Sequence, residues 1–320
     1  MLKELIKRCI DINSSYCPCL LADTNHCVYC SQLQGKEFCD CDWQGVCILY
    51  ENFWQKKCIA TNKISRVEEK TQFSIKEKLN EKTYIIEFTV SQELAERLDE
   101  VGAFVFLRNA EDEGCCCFPV GVMAVQKNII TVAVEIVGAK SARLFINDGN
   151  ILVRGPYYNG MLGKPWIDNI KESNILLVAG GIGQAPASSV IHKLVENNNM
   201  ITAILAPGKV GKIFVGEKLR KQGVLVYDVD SLRKTGFVLL KELLNDRKID
   251  LVISAGPDSQ HRGLINGLND YGYNIPMAVT NNATMCCGEG ICGSCQQMNH
   301  DNQMMKLCKM QVDFNQIMQN

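Results

Sequence analysis

The sequence predicts a multidomain β plus α/β protein: an antiparallel β-barrel, then a doubly wound parallel sheet, with a cysteine-rich segment at each end. Three observations predict it. Short β-branched runs succeed one another from Tyr84 to "NILVRGP". From Asn174 onward, strand-like runs alternate with helical spacing. The 17 cysteines fall in groups: nine in residues 1–58, three at 115–117 and five at 286–308.

Bulk properties narrow the function classes. The 320 residues leave room for two or three domains, and 47% hydrophobic content supplies their cores. A formal net charge of -1 offers no electrostatic ground for nucleic-acid or membrane-surface binding. No apolar run reaches the roughly 18 residues of a membrane span. The start, "MLKELIKRCIDINSS", breaks its apolar pieces with Glu4, Lys7, Arg8 and Asp11, unlike a signal peptide. Disulfide scaffolds are short, secreted and even in cysteine count. This chain is long and its count is odd, so the expectation is a cytoplasmic protein with metal-bound thiolates.

Residues 1–60 read as a cysteine-rich metal-binding module with little strand or helix periodicity. Cys17, Cys19, Cys27 and Cys30 could close one four-thiolate site. Cys39, Cys41 and Cys47, with Cys58 or Cys9, could supply another, and His26 is an alternative ligand. Zinc and an iron–sulfur cluster both suit such thiolates. A polar connector, "NKISRVEEKTQFSIKEK", follows.

Residues 65–165 read as the barrel, from "YIIEFTV", "FVFLR", "PVGVMAV", "IITVAVEIV" and "NILVRGP". Between a strand and a short helix, "EIVGAKSARLF" sets Gly138, Lys140 and Ser141 where backbone N–H groups, a hydroxyl and a cation can meet an anion. An ordinary turn with a capping serine is the competing reading. Cys115, Cys116 and Cys117 have no metal-ligand spacing, because neighbours in an extended chain point to opposite faces.

Residues 170–280 read as the α/β domain. "LLVAGGIGQAP" ends a buried strand in Gly180, Gly181 and Gly183 and opens a helix, which suits a nucleotide phosphate or a plain turn. "LVISAGPDS" sets Gly256 and Pro257 after a later buried strand. Ligands of such sheets bind at the carboxyl ends of strands, where the two turns could converge.

Residues 281–320 hold Cys287-x4-Cys292-x2-Cys295 and then Cys308, the arrangement of a plant-type [2Fe–2S] site. Gly288, Gly290 and Gly293 let backbone N–H groups turn toward negatively charged sulfur. Zinc and unligated thiols are the alternatives, but zinc sites favour paired C-x2-C knuckles and one such pair exists here. Cys286, outside the spacing, is expected to be packed beside the site.

In this order, a barrel, a GGIG-type nucleotide domain and a C-terminal C-x4-C-x2-C…C motif resemble the electron-transfer subunit of class B dihydroorotate dehydrogenases of pyrimidine biosynthesis. Related small subunits occur in NADH-dependent ferredoxin:NADP oxidoreductases and sulfide dehydrogenases, all within the ferredoxin-reductase-like superfamily. The resemblance covers about residues 65 to 320 and leaves the N-terminal module outside. It implies that Gly138, Lys140 and Ser141 meet the FAD pyrophosphate and that "GPYYNG", with Gly155 and Pro156, closes the flavin domain. It implies NAD(P)H at Gly180, Gly181 and Gly183, with Gly256 and Pro257 facing the nicotinamide. Electrons would pass between NAD(P)H, FAD and the [2Fe–2S] cluster, to or from a catalytic oxidoreductase subunit or a ferredoxin. No catalytic acid–base side chain is required. Two departures stand out. The family's arginine and hydroxyl against the flavin are replaced by Phe118 and Gly121, and its Cys-Gly-Pro by Ala255-Gly256-Pro257. With the extra module, they motivate an alternative: a redox- or metal-sensing regulator on a degenerate reductase fold.

Overall fold

A computed structural model describes residues 8–11, 16, 66–112, 116–146, 149–290 and 292–318. Cys17, Cys19, Cys27, Cys30, Cys39, Cys41 and Cys47 lie outside the described residues, as do His26, Cys58 and Cys115.

A two-residue strand, β1 (Arg8–Cys9), precedes a closed antiparallel barrel. The barrel strands are β2 (Val67–Lys78), β3 (Thr83–Thr89), β4 (Phe104–Asn109), β5 (Phe118–Gln126), β6 (Ile129–Glu135) and β7 (Asn150–Tyr157), in the spatial order β2-β3-β6-β5-β4-β7. Closure leaves no unpaired edge. Its interior is built from alternate residues, among them Ile86, Phe88, Val105, Leu107, Val120, Val122, Ile130, Val132 and Val153. The charged run expected as a connector is β2, the first barrel strand. Its exposure alternates along its first eight residues, so Val67, Thr71 and Phe73 turn inward while Glu68, Lys70 and Gln72 stay exposed. The helix Gln92–Leu98, capped by Ser91, plugs one end with Leu94, Ala95 and Leu98.

The second sheet adds β8 (Met161–Leu162), β9 (Asn174–Gly180), β10 (Met200–Ala206), β11 (Leu225–Asp228), β12 (Leu251–Ala255) and β13 (Met277–Thr280). Its order is β11-β10-β9-β12-β13-β8; the first five are parallel and β8 is antiparallel. The chain leaves β9 toward one edge and returns through β12 on the other side. The order therefore reverses between β9 and β12, which is where a crevice opens at the carboxyl ends. Helices Gln184–Glu196 and Asp258–Asp270 cover opposite faces: Val190, Ile191 and Leu194 join one apolar core, Leu264 and Leu268 the other.

The C-terminal part is a thiol-bearing loop followed by a small hairpin of β14 (Gln296–Met298) and β15 (Met304–Lys306), then β16 (Met310–Gln311). β16 pairs antiparallel with β1, tying the N-terminal segment to this module. Among the described residues, no helix is long and apolar enough to cross a membrane.

Candidate functional site

A cavity of about 600 Å3 lies between barrel and sheet, within the range of cofactor pockets. The barrel contributes Phe104, Pro119 and Gly121, and the turn after β6 contributes Gly138 to Ser141. The sheet domain contributes Ile182, Ala185 and Pro186 from the glycine loop and its helix, and Thr280 to Asn282 from the end of β13. Both domains thus wall one space; of the predicted nucleotide loop Ile182 lines it, while Gly180, Gly181, Gly183, Gly256 and Pro257 do not.

The predicted binding residues divide into two groups here. Gly138, Lys140 and Ser141 line the cavity; a Cβ at Gly138 would meet nothing within 4 Å. The Ser141 hydroxyl is engaged with its own turn: it accepts from Val137 N–H (3.0 Å) and Gly138 N–H (3.3 Å) and donates to Gly138 O. Lys140 Nζ reaches Cys117 O at 3.3 Å. Phe118 also lines the cavity, so both positions of the first departure, Phe118 and Gly121, fall on its wall, while Ala255, Gly256 and Pro257 do not. Gly155 and Pro156 lie on β7 and do not line it. A Cβ at Gly155 would instead meet Val105 in the barrel interior at 3.1 Å, and Pro156 O accepts from Arg66.

At the sheet switch point the two glycine turns do converge. A Cβ on Gly183 would overlap Ala255 O and lie 2.7 Å from Gly256 N, so only glycine lets the loop pack against the end of β12. Behind this contact sits His261, fully buried. Nδ1 lies 2.7 Å from Ser254 Oγ, and Nε2 lies 3.1 Å from Thr280 O and 3.2 Å from Asn282 Nδ2. Asn282 also donates to Gly256 O at 2.7 Å. The imidazole therefore fastens the Gly256 turn to the Thr280–Asn282 wall of the cavity. The sequence carried no signal for this beyond a histidine near a strand end.

Burial drives the His261 pKa down to about 4. Its folded value lies below the unfolded value of about 6.5, so protons bind the unfolded chain first. The stability it contributes is complete above about pH 6.5 and is lost as pH falls toward 4, about 3 kcal/mol over the whole span. Urea midpoints at pH 7.5 and 5.5 should differ by less in His261→Gln than in the wild type; an equal loss in both would refute this role.

Cys287 and Cys295 both contact Cys308, and Cys292 N–H reaches Cys287. Cys295 and Cys308 are each 3% exposed. Cys308 Sγ accepts from Gly290 N–H at 3.2 Å, Cys295 Sγ from Cys308 N–H at 3.4 Å, and Cys287 Sγ from Glu289 N–H at 3.3 Å and Cys292 N–H at 3.5 Å. Cys292, exposed, has Ser294 Oγ at 3.2 Å from its sulfur. Contacts with Cys287 and Cys295, with burial, push the Cys308 thiol far up, while the hydrogen bond from Cys308 draws Cys295 down to about 7. Clustered thiols of this kind cannot all ionise without a cation among them. Cys286 is exposed, not packed as expected; it takes no part in this hydrogen bonding.

The donor set and the amides aimed at sulfur fit a [2Fe–2S] cluster, whose negatively charged sulfur is stabilised by N–H groups. Among the described residues, no group of three or more His, Cys, Asp or Glu side chains could hold a metal ion. A binuclear cluster asks a different geometry, with two thiolates at each iron. The open cavity, with a glycine turn and one lysine at its edge, fits a flavin with its phosphates.

One packed group joins the two sites. Phe104, Phe106, Cys117, Tyr157, Met285, Cys295 and Cys308 form a single buried cluster. Phe104 and Met285 also line the cavity. Phe104 stacks on Tyr157 with centroids 5.2 Å apart, and Tyr157 meets Phe106 edge-on at 5.0 Å.

A six-stranded antiparallel barrel followed by such a sheet is a fold shared with solved ferredoxin reductases. In sequence the chain resembles the electron-transfer subunits of dihydroorotate dehydrogenase B. One from Methanocaldococcus jannaschii, named a probable subunit of this kind, is 34% identical over 155 residues, 47% of this chain and 57% of the relative. Its Streptococcus pneumoniae counterpart is 25% identical over 220 residues, covering 66% and 82%. The sulfhydrogenase 2 subunit gamma of Pyrococcus furiosus is 27% identical over 178 residues, covering 47% and 60%. The chain thus spans little more than half the length of the first of these relatives. No family model matches it. Among solved structures, the NADH-dependent reduced ferredoxin-NADP oxidoreductase, studied for flavin-based electron bifurcation, superimposes with a TM-score of 0.63 at 24% identity, covering 78% of this chain and 89% of that one. The ferredoxin reductase of carbazole 1,9a-dioxygenase gives 0.50 at 12% identity, covering 68% and 70%. At these identities the likeness is one of fold.

Proposed function

We propose that this chain is an iron–sulfur flavoprotein electron-transfer subunit, linking NAD(P)H through FAD and a [2Fe–2S] cluster to a partner oxidoreductase or ferredoxin. The observation that carries this reading is the shared packing of the cavity wall and the thiols: Phe104 and Met285 belong to both. Bound flavin supplies the conversion between two-electron hydride chemistry and the single electrons a [2Fe–2S] cluster accepts. The chain's own residues position and insulate. Gly180 to Gly183 offer a helix N-terminus to a dinucleotide phosphate beside the cavity. With arginine and hydroxyl absent at Phe118 and Gly121, Lys140 and the backbone at Gly138 are left to meet the flavin phosphates. Cys287, Cys292, Cys295 and Cys308 are the proposed iron ligands. Residues 65–165, 170–280 and 281–320 are the corresponding domains. The N-terminal module, residues 1–60, is proposed to bind zinc or a second iron–sulfur cluster.

Anaerobic purification with flavin, iron, zinc and acid-labile sulfide measured per chain tests the reading. It predicts flavin together with at least two irons and two sulfides. Iron and sulfide above that would assign the N-terminal module to a second cluster, and zinc would assign it to zinc. Absence of both flavin and labile sulfide would sink the reading in favour of the regulatory one.

A further inference from the structure

The thiol loop rests on a closed ring of four charges. Arg66 reaches Asp11 Oδ2 and Glu289 Oε1, each at 2.7 Å. Lys309 Nζ pairs with Asp11 Oδ2 and, at 2.9 Å, with Glu289 Oε2. Each cation therefore touches both carboxylates. The side chains of Asp11, Arg66 and Lys309 are 1%, 7% and 6% exposed, so water screens the ring little.

Three separate parts of the chain supply it. Glu289 belongs to the loop itself, between Gly288 and Gly290, and Lys309 follows Cys308. Arg66 precedes the barrel and lies 4.1 Å from the Tyr157 ring centre. Asp11 comes from the N-terminal segment, where Cys9 pairs with Met310 and Ile10 N–H donates to Lys309 O at 2.7 Å.

Buried charges are tolerated only when paired, and this ring is neutral only with Asp11 in place. Without Asp11, two cations face the single carboxylate of Glu289, leaving net positive charge beside the thiolates. Positive charge near an iron–sulfur cluster favours its reduced, more negative form. By reciprocity, reducing the cluster must weaken the hold on Asp11.

We propose that the N-terminal segment docks on the cluster loop through Asp11 and thereby lowers the cluster's reduction potential, so that one-electron reduction of the cluster loosens the docking. This rests on the [2Fe–2S] reading above. Asp11 is a positioning and tuning residue and touches no substrate.

The test uses the full chain purified anaerobically. In dithionite titrations followed by electron paramagnetic resonance, Asp11→Asn should shift the cluster toward the reduced form roughly ten-fold, about 59 mV for a one-electron couple. Asp11→Glu, which keeps the charge, should restore most of the wild-type potential. A second readout is iodoacetamide labelling of Cys9, 1% exposed, followed by peptide mass spectrometry. Labelling should be faster in Asp11→Asn than in the wild type, and faster in reduced than in oxidised wild type. An unchanged potential in a cluster-bearing Asp11→Asn variant overturns the proposal while leaving the function intact, as does redox-independent labelling of Cys9. A wild-type chain without labile sulfide overturns the function and this proposal together.

Discussion

Cys308→Ser is expected to abolish the paramagnetic signal of the reduced [2Fe–2S] cluster while leaving flavin on the protein. Cys308 is as buried as Cys295; it accepts from Gly290 N–H and contacts both Cys287 and Cys295. Serine is nearly isosteric but a far poorer ligand for iron than a thiolate. The cavity proposed for flavin does not include Cys308, so the flavin absorbance should persist. Cys286→Ser provides the internal comparison. Cys286 is exposed and outside the hydrogen-bonded set, so its variant should keep the full signal. If Cys286→Ser loses the cluster and Cys287→Ser retains it, the ligand assignment within the doublet is reversed.

Gly288→Ala is expected to lose the cluster and to destabilise the fold by about 2–5 kcal/mol, from overpacking plus backbone strain. Gly288 has φ 71°, a region that side chains rarely adopt. A Cβ there would lie 2.5 Å from Tyr157 Cε1 and 2.8 Å from Phe106 Cε2, both buried rings unable to yield. Gly293→Ala serves as a milder reference. Its φ is also positive, but its Cβ would meet only the Gln296 side chain, at 3.1 Å, and that side chain can move. Thermal unfolding with iron retention on each variant checks the order; a Gly288→Ala protein with wild-type stability and iron content would show that the loop is not packed on the barrel as described.

Local chemistry made much of this molecule legible. The β-branched runs gave the barrel its strands because each needs one apolar face, and β9 and β12 read as continuous apolar runs because helices cover both of their faces. The thiol spacing was legible because Cys287, Cys292 and Cys295 lie within one short stretch of chain. β2 was missed because Glu68, Lys70 and Gln72 on its wet face hide a modest inward face. The ring joining Asp11 to Lys309 closes over 298 positions, and nothing local to either residue announces it. The His261 network and the Phe104–Tyr157–Met285 wall were invisible for the same reason: their partners meet only once barrel, sheet and loop have packed.

In the proposed electron route a nicotinamide cofactor, the cavity and the thiol loop act in series. Anaerobic titration of the purified chain with NADH and with NADPH, followed by electron paramagnetic resonance, tests it most directly. At least one of the two should bleach the flavin and generate the [2Fe–2S] signal. A chain carrying both flavin and cluster, whose cluster is reduced by dithionite but by neither nicotinamide, would contradict it.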